Sequence, residues 1–263
     1  MLRIKVFLLV CIVSQLALTS IVFADKPLRV GITYWPPYQI FQNESDISGI
    51  AFDVLKEVEK RMGIDLKIIR LPQNRMLTYF QKGELDLEPA ANPTWRSAYK
   101  HLSVYSIPYF QVQHVIYARK TTETSGNYVN DFKDKIIGTR LGYNYDLSIG
   151  EAFHNQSIIR KDSQQHDTNL ILLKAGRIDG IVVDRQELKY WIKQLNYDSE
   201  NYKEAYDIGP SIDVSMRLHI SQSKLLPEIN KTLAEMLKDG FVDNAIKKYT
   251  SKETNQMVSE IVD

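Results

Sequence analysis

The chain is poor in nearly everything that marks a specialised chemistry. Its one cysteine, Cys11, lies near the N-terminus, which excludes a disulfide scaffold and a Cys-rich zinc site. The histidines, His101, His114, His154, His166 and His219, are scattered without metal-ligand spacing. No Ser-His-Asp order, His-Glu-x-x-His, Cys-x-x-Cys or Gly-rich phosphate loop occurs, so no catalytic chemistry has support from a motif. Charge of one sign is also missing. Lys plus Arg (33) almost balances Asp plus Glu (32), which leaves no overall electrostatic case for nucleic acid. Past the N-terminal segment, no apolar run is long enough to span a bilayer. What is present is a globular composition, 44% hydrophobic and 25% charged over 263 residues, enough for one large or two medium domains at roughly 100–200 residues each.

The first 24 residues read as a removable leader. Arg3 and Lys5 precede the apolar run Val6 to Val13, and a more polar stretch ends at Val22-Phe23-Ala24, with small residues at the −3 and −1 positions of a cleavage site. Cleavage after Ala24 is expected, so that the exported chain starts at Asp25. An uncleaved anchor helix is the alternative, weakened by Ser14, Gln15, Thr19 and Ser20. Loss of the leader also removes the cysteine, which suits an oxidising compartment.

Two halves then follow with the same order of elements. Leu28 to Thr33 reads as a buried strand ending in Trp35-Pro36-Pro37-Tyr38. From Asp53, residues Val54, Leu55, Val58 and Met62 recur at helical spacing, and Gly63 stands at the C-cap. Asp65 to Leu71 is a strand, Arg75 to Lys82 a helix closed by Gly83, and Leu85 to Glu88 a strand. The second half repeats the pattern with a strand at Lys135 to Leu141, a helix at Asn144 to Phe153 and a strand at Ser157 to Arg160. A helix at Asp167 to Ala175 and a strand at Asp179 to Val183 complete it. Alternation of this kind predicts parallel sheets covered by helices. Two stretches match in pattern, Phe80-Gln81-Lys82-Gly83-Glu84-Leu85-Asp86 and Leu173-Lys174-Ala175-Gly176-Arg177-Ile178-Asp179. They suggest two similar lobes in tandem with ligand space between them. Leu226, Ile229, Leu233 and Met236 form one face of a helix ending at Gly240, and Val242 to Tyr249 is a last short helix.

From Leu28 to about Tyr249 the sequence resembles the bacterial extracellular solute-binding proteins that serve polar amino-acid uptake, family 3 of that class. The likeness is carried by Val30-Gly31-Ile32 with Pro36-Pro37-Tyr38, by Gly49-Ile50-Ala51-Phe52-Asp53, and by Gly83-Glu84-Leu85-Asp86. Thr94-Trp95-Arg96, Ser106-Ile107-Pro108-Tyr109, Ile137-Gly138 through Leu141-Gly142, and Gly176-Arg177-Ile178-Asp179 with Val182-Val183-Asp184 continue it. The resemblance implies a two-lobed α/β fold of the type II periplasmic-binding-protein kind. Lobe 1 would comprise 25–111 and 214–263, lobe 2 would comprise 112–213, and the chain would cross near Gln111 and Asp213. Such proteins close over one small molecule and do no chemistry.

The same resemblance nominates a ligand site. Arg96 would bind a ligand carboxylate through its fork of donors. Asp184 would accept from an ammonium, although Asp184-Arg185-Gln186-Glu187 also has the form of a helix-starting capping box. Tyr143 and Asn144 would offer a helix N-terminus to an anionic group, with an ordinary N-cap by Asn144 as the alternative. Trp35 and Tyr34 would form an aromatic wall, or Trp35 would pack under the prolines. The stretch from Asp86 to Arg96 is slightly shorter than the common pattern. Ala90, Ala91 and Asn92 stand where a hydroxyl often helps, so Asn92 and Thr94 are expected to assist Arg96. Gln73 and Arg75 border the cleft. Arg75 suits an acidic ligand group or is a solvated helix residue; Glu88 suits a basic one.

Three functions fit this reading. The first is a binding subunit in the periplasm, acting as a monomer that delivers an amino acid or similar polar metabolite to an inner-membrane ABC permease, with no cofactor or metal. The second is a ligand sensor for a membrane receptor. The third is an exported dehydratase on the same fold, for which Glu88 is the one candidate general acid.

Overall fold

The structure is a computed structural model that describes residues 26–251 apart from 42, 44, 45, 144, 146 and 166. The expected leader and Asn144 therefore lie outside the described residues. Strands run, in chain order, β1 (Leu28–Ile32), β2 (Ile40–Phe41), β3 (Ile47–Ser48), β4 (Leu66–Arg70), β5 (Leu87–Ala91) and β6 (Ser103–Tyr105). They continue as β7 (Phe110–Arg119), β8 (Ile136–Arg140), β9 (Ile159–Ser163), β10 (Gly180–Asp184) and β11 (Tyr202–His219). The α-helices are α1 (Ile50–Met62), α2 (Gln73–Gln81), α3 (Tyr128–Asp131) and α4 (Leu147–His154). After them come α5 (Thr168–Lys174), α6 (Arg185–Gln194), α7 (Leu226–Lys238) and α8 (Phe241–Thr250), and Pro93–Leu102 and Ile220–Leu225 are 3-10 turns.

One sheet runs through the molecule in the order β4-β1-β5-β11-β7-β10-β8-β9, with β6 beside β11. Its outer parts are parallel, β1 with β4 and β5, and β8 with β9 and β10. The antiparallel pair β7 and β11 joins them, with Gln111 opposite Asp213 in register and the Gln111 amide donating to the Asp213 carboxylate at 2.8 Å. The ladder between these strands slips between Ile208 and Ile212, where Gly209 takes φ +63°. Two lobes therefore share two long crossing strands. Apolar faces settle on each side of each half-sheet. In the first lobe, Val30, Ile32, Leu55, Met216, Leu233 and Met236 pack on one face and Leu71, Met76, Phe80 and Leu85 on the other. In the second, Ile116, Phe132 and Ile137 form one core and Tyr117, Leu173 and Leu188 the other. Among the described residues no helix is long and apolar enough to cross a membrane.

The matched stretches have one physical job. Gly83 and Gly176 both take the left-handed conformation after a helix, φ +69° and +71°. Asp86 and Asp179 then each accept, through a carboxylate oxygen, a backbone N–H at the start of the neighbouring parallel strand, from Arg29, second in β1, at 2.9 Å and from Ile136, first in β8, at 2.8 Å. Each also donates its own N–H back to that residue's carbonyl at 2.8 Å. The motif sets strand register in both lobes.

Three element boundaries differ from the sequence expectation. Helix α1 begins at Ile50 rather than Asp53, because the carbonyls of Pro37 and Tyr38 accept the amides of Ile50 and Ala51 at 2.9 Å and replace a side-chain cap. Strand β5 starts at Leu87, past the aspartate that pins it. Helix α4 is described over Leu147–His154, and Tyr143 and Tyr145 before it are not helical, whereas the sequence places the helix from 144 on.

Candidate functional site

The cleft between the lobes holds a cavity of about 480 Å³. Lobe 1 contributes the loop after β1 (Thr33, Tyr34, Trp35, Gln39), Gln73 and Leu77 of α2, Glu88 and Ala90 of β5, and Trp95 with Arg96. Lobe 2 contributes Arg140, Leu141, Gly142 and Tyr143 after β8, and Asp184 at the end of β10; Val112 and His114 come from the crossing strand β7. Ligand space at the C-terminal ends of parallel strands is where this class of sheet places it.

The aromatic wall follows from the tight turn after β1. Tyr38 closes that turn by donating its amide to the Trp35 carbonyl at 2.8 Å, and its ring lies 4.4 Å from that of Trp35. Trp95 meets Trp35 edge-on at 5.8 Å, and Tyr34 meets Phe41 at 5.4 Å. Tyr34 is 43% exposed and burial raises its hydroxyl pKa, as it does that of Tyr143 across the gap.

Arg96 does not wait empty for a carboxylate. Its Nε donates to both oxygens of Glu88 at 3.2 Å, and Nη2 donates to Glu88 Oε1. Burial opposes the Arg96 charge, and the Glu88 carboxylate outweighs it, so the guanidinium pKa rises. Behind Glu88 stands Arg217, fully buried, whose Nη1 reaches Glu88 Oε2 at 3.1 Å and whose Nε donates to Ser103 Oγ at 2.9 Å. Its guanidinium lies 3.6 Å above the Phe80 ring. Two arginines thus share one carboxylate. The expected role of Glu88 as a reader of a basic ligand is corrected: both its oxygens accept from guanidinium donors, which also removes the one candidate general acid.

Asp184 is likewise engaged. Its Oδ1 accepts from the amides of Gln186 and Glu187 at 3.1 and 2.9 Å, the N-cap of α6, and from the Tyr38 hydroxyl at 2.6 Å. Its Oδ2 accepts from the Gln113 amide at 3.2 Å. Desolvation pushes its pKa up to about 6 despite those donors. In place of a free acceptor for an ammonium, the structure shows a capped carboxylate that ties the first lobe to the second through Tyr38.

The remaining expectations divide. Asn92 accepts from the Thr94 amide at 2.8 Å and from its hydroxyl at 2.6 Å, and donates to the Asp213 carbonyl at 2.7 Å. It caps the 3-10 turn and fastens it to a crossing strand, and neither it nor exposed Thr94 lines the cavity. Arg75 is exposed on α2, also outside the lining. Reading the sequence missed Arg140, although it lies inside the stretch Ile137 to Gly142 and at the end of a strand, where cleft residues sit. It missed His114, whose burial lowers its pKa to about 4. It also missed Arg217, a charge inside the otherwise apolar run Val214 to Leu218.

The model of bacterial extracellular solute-binding proteins, family 3, matches residues 28–252. The chain belongs to this family. A probable histidine-binding protein of Campylobacter jejuni is 22% identical over 228 residues, 86% of each chain. The L-cystine-binding protein TcyJ of Escherichia coli is 25% identical, covering 84% of this chain and 82% of its own. Among solved structures, an ancestral arginine-binding protein bound to arginine superposes with a TM-score of 0.66 at 23% identity, over 86% of this chain and 99% of that one. These relatives are binding proteins, not enzymes, and this solute-binding protein shares their two-lobed fold.

Proposed function

We propose that this solute-binding protein captures an amino acid, or a similar small polar zwitterion or carboxylate, in the periplasm and delivers it to an ABC-type permease. The observation that carries the reading is a cavity lined from both lobes, with a guanidinium on each side and an aromatic wall between. The names of the relatives, for histidine, cystine and arginine, support the ligand class. In this reading lobe 1 is 25–111 with 214–263, lobe 2 is 112–213, the first 24 residues are a cleaved leader, and the monomer is the working form. A ligand held by both lobes stabilises their closed arrangement, because an open one contacts it from one side only.

Arg96 takes the ligand carboxylate on the lobe 1 side, with Glu88 and Arg217 holding its plane. Truncating one partner of a buried charge pair costs about 2–5 kcal/mol of binding. A thermal-shift screen of the chain lacking its leader against amino acids and small organic acids should reveal a ligand that adds a few kcal/mol at concentrations far above its Kd. Calorimetry on Arg96→Ala should then show weakening within that range. Unchanged affinity would remove Arg96 from the site.

A further inference from the structure

Two guanidiniums reach the cleft cavity, and they stand in opposite conditions. Arg96 is bound on its Nε side by Glu88, itself shared with Arg217. Arg140, at the end of β8 on the second lobe, forms no ion pair and no side-chain hydrogen bond among the described residues. Its Nη1 is buried and has no hydrogen-bond partner among the described residues. A desolvated guanidinium N–H without an acceptor is unfavourable, and folded proteins leave few such groups unless something else supplies the acceptor. The two carboxylates that line a recess together with Arg140 are engaged elsewhere. Asp184 is filled by Tyr38, by the α6 amides and by Gln113. Glu187, which borders the same recess, has a partner of its own. Leu141 and Gly142, which follow Arg140, also line the cavity and bring no carboxylate to it.

We propose that the solute carries a second carboxylate, and that Arg140 is the residue that binds it. The ligand class is then an acidic amino acid or another short dicarboxylate, with one carboxylate on the Arg96 side and the other on Arg140. This inference rests on the solute-binding reading above and narrows it. A guanidinium with unfilled donors on the lobe opposite Arg96 matches an oxyanion presented by a ligand that already touches lobe 1. It also discriminates. A neutral amide of the same shape leaves Arg140 unpaired, whereas a carboxylate satisfies it, and a cationic side chain meets a like charge.

The test compares isosteres on the chain without its leader. L-glutamate against L-glutamine, L-aspartate against L-asparagine, and succinate, L-cystine, L-histidine and L-arginine are titrated by thermal shift and calorimetry into the wild type, Arg140→Gln, Arg140→Lys and Arg96→Ala. The expected result is that at least one dicarboxylate binds 10-fold or more tighter than its neutral isostere. Arg140→Gln should then weaken that ligand by 10- to 100-fold and change the amide by less than about 3-fold. Arg140→Lys should keep part of the preference, and Arg96→Ala should weaken both ligands. Ligand-free Arg140→Gln should melt no lower than wild type, since it removes an unpaired buried donor, and a merely structural Arg140 would give the reverse. Tight binding of an amide or a cationic amino acid, or a Glu/Gln ratio untouched by Arg140→Gln, overturns the role of Arg140 and leaves the solute-binding reading standing. No binding by any member of the panel overturns both.

Discussion

Asp184 and His114 are register partners across the β10–β7 pair, at the back of the cleft, and they respond to pH in opposite senses. Burial raises Asp184 from an ordinary 3.8 to about 6, so the folded protein holds its proton more firmly than the unfolded chain. Its contribution to stability is complete below pH 3.8 and is lost as pH climbs through 6. Burial lowers His114 from 6.5 to about 4, so the unfolded chain holds that proton more firmly. Its contribution is complete above pH 6.5 and is lost as pH falls toward 4. Each is worth about 3 kcal/mol at 1.36 kcal/mol per pH unit, and in the wild type they offset one another between pH 4 and 6.5. His114→Gln should therefore lose about 3 kcal/mol relative to wild type as pH rises across that window, and Asp184→Asn should gain a similar amount. Urea unfolding at half-unit pH steps measures both, and differences of the same sign in the two variants would refute the assignment.

Among the elements, the first turn of α1 decides where the aromatic wall stands. Gly49 holds φ +116°, and a Cβ there would lie 2.5 Å from the Tyr38 carbonyl oxygen and 2.9 Å from the Gln39 nitrogen, both backbone atoms that cannot rotate away. The Gly49 amide also donates to the Tyr249 hydroxyl at 2.9 Å, which binds the turn to α8. Gly49→Ala should cost at least about 3 kcal/mol, combining strain at a positive φ with displacement of the Tyr38 loop. Gly63, the C-cap of the same helix, has φ +64° and open space around it, so Gly63→Ala should cost only about 1 kcal/mol. Equal losses in denaturant melts would show that backbone conformation, not the contact with Tyr38, governs the first site. The contrast also shows what a sequence discloses. The Gly63 cap, the paired Gly-x-x-Asp motifs and the Asp184 capping box were legible because each is written within a few neighbouring residues. The cap of α1 was not, because it is made by two loop carbonyls thirteen residues earlier, those of Pro37 and Tyr38. Nor was the Glu88–Arg96–Arg217 cluster, whose third member arrives from 129 residues away. Arg140 was overlooked for another reason: its buried Nη1 has no partner among the described residues, and no local pattern records that.

On the scale of the whole molecule, the Tyr38–Asp184 hydrogen bond joins residues 146 positions apart and fastens a lobe 1 loop to the N-cap of a lobe 2 helix. The Tyr38 ring stacks on Phe110 at 4.8 Å, at the start of the crossing strand β7, and burial followed by the Asp184 charge holds its hydroxyl pKa well above the usual value. The bond therefore sits where rotation of one lobe on the other either preserves it or breaks it. If it breaks on opening, it biases the lobes toward the arrangement seen here by about 1–1.5 kcal/mol, or somewhat more with a charged acceptor. Tyr38→Phe keeps the stacking and removes only the hydroxyl. It should then weaken ligand binding roughly 10-fold, since the free protein spends less time in the closed form, and should enlarge the radius of gyration of the ligand-free protein in small-angle scattering. The enlargement should vanish when ligand is saturating. A variant with lower thermal stability but unchanged affinity and unchanged scattering would mean that the bond survives opening and belongs to the hinge axis. In that event the bias toward closure must come from the ligand's own contacts with the two lobes.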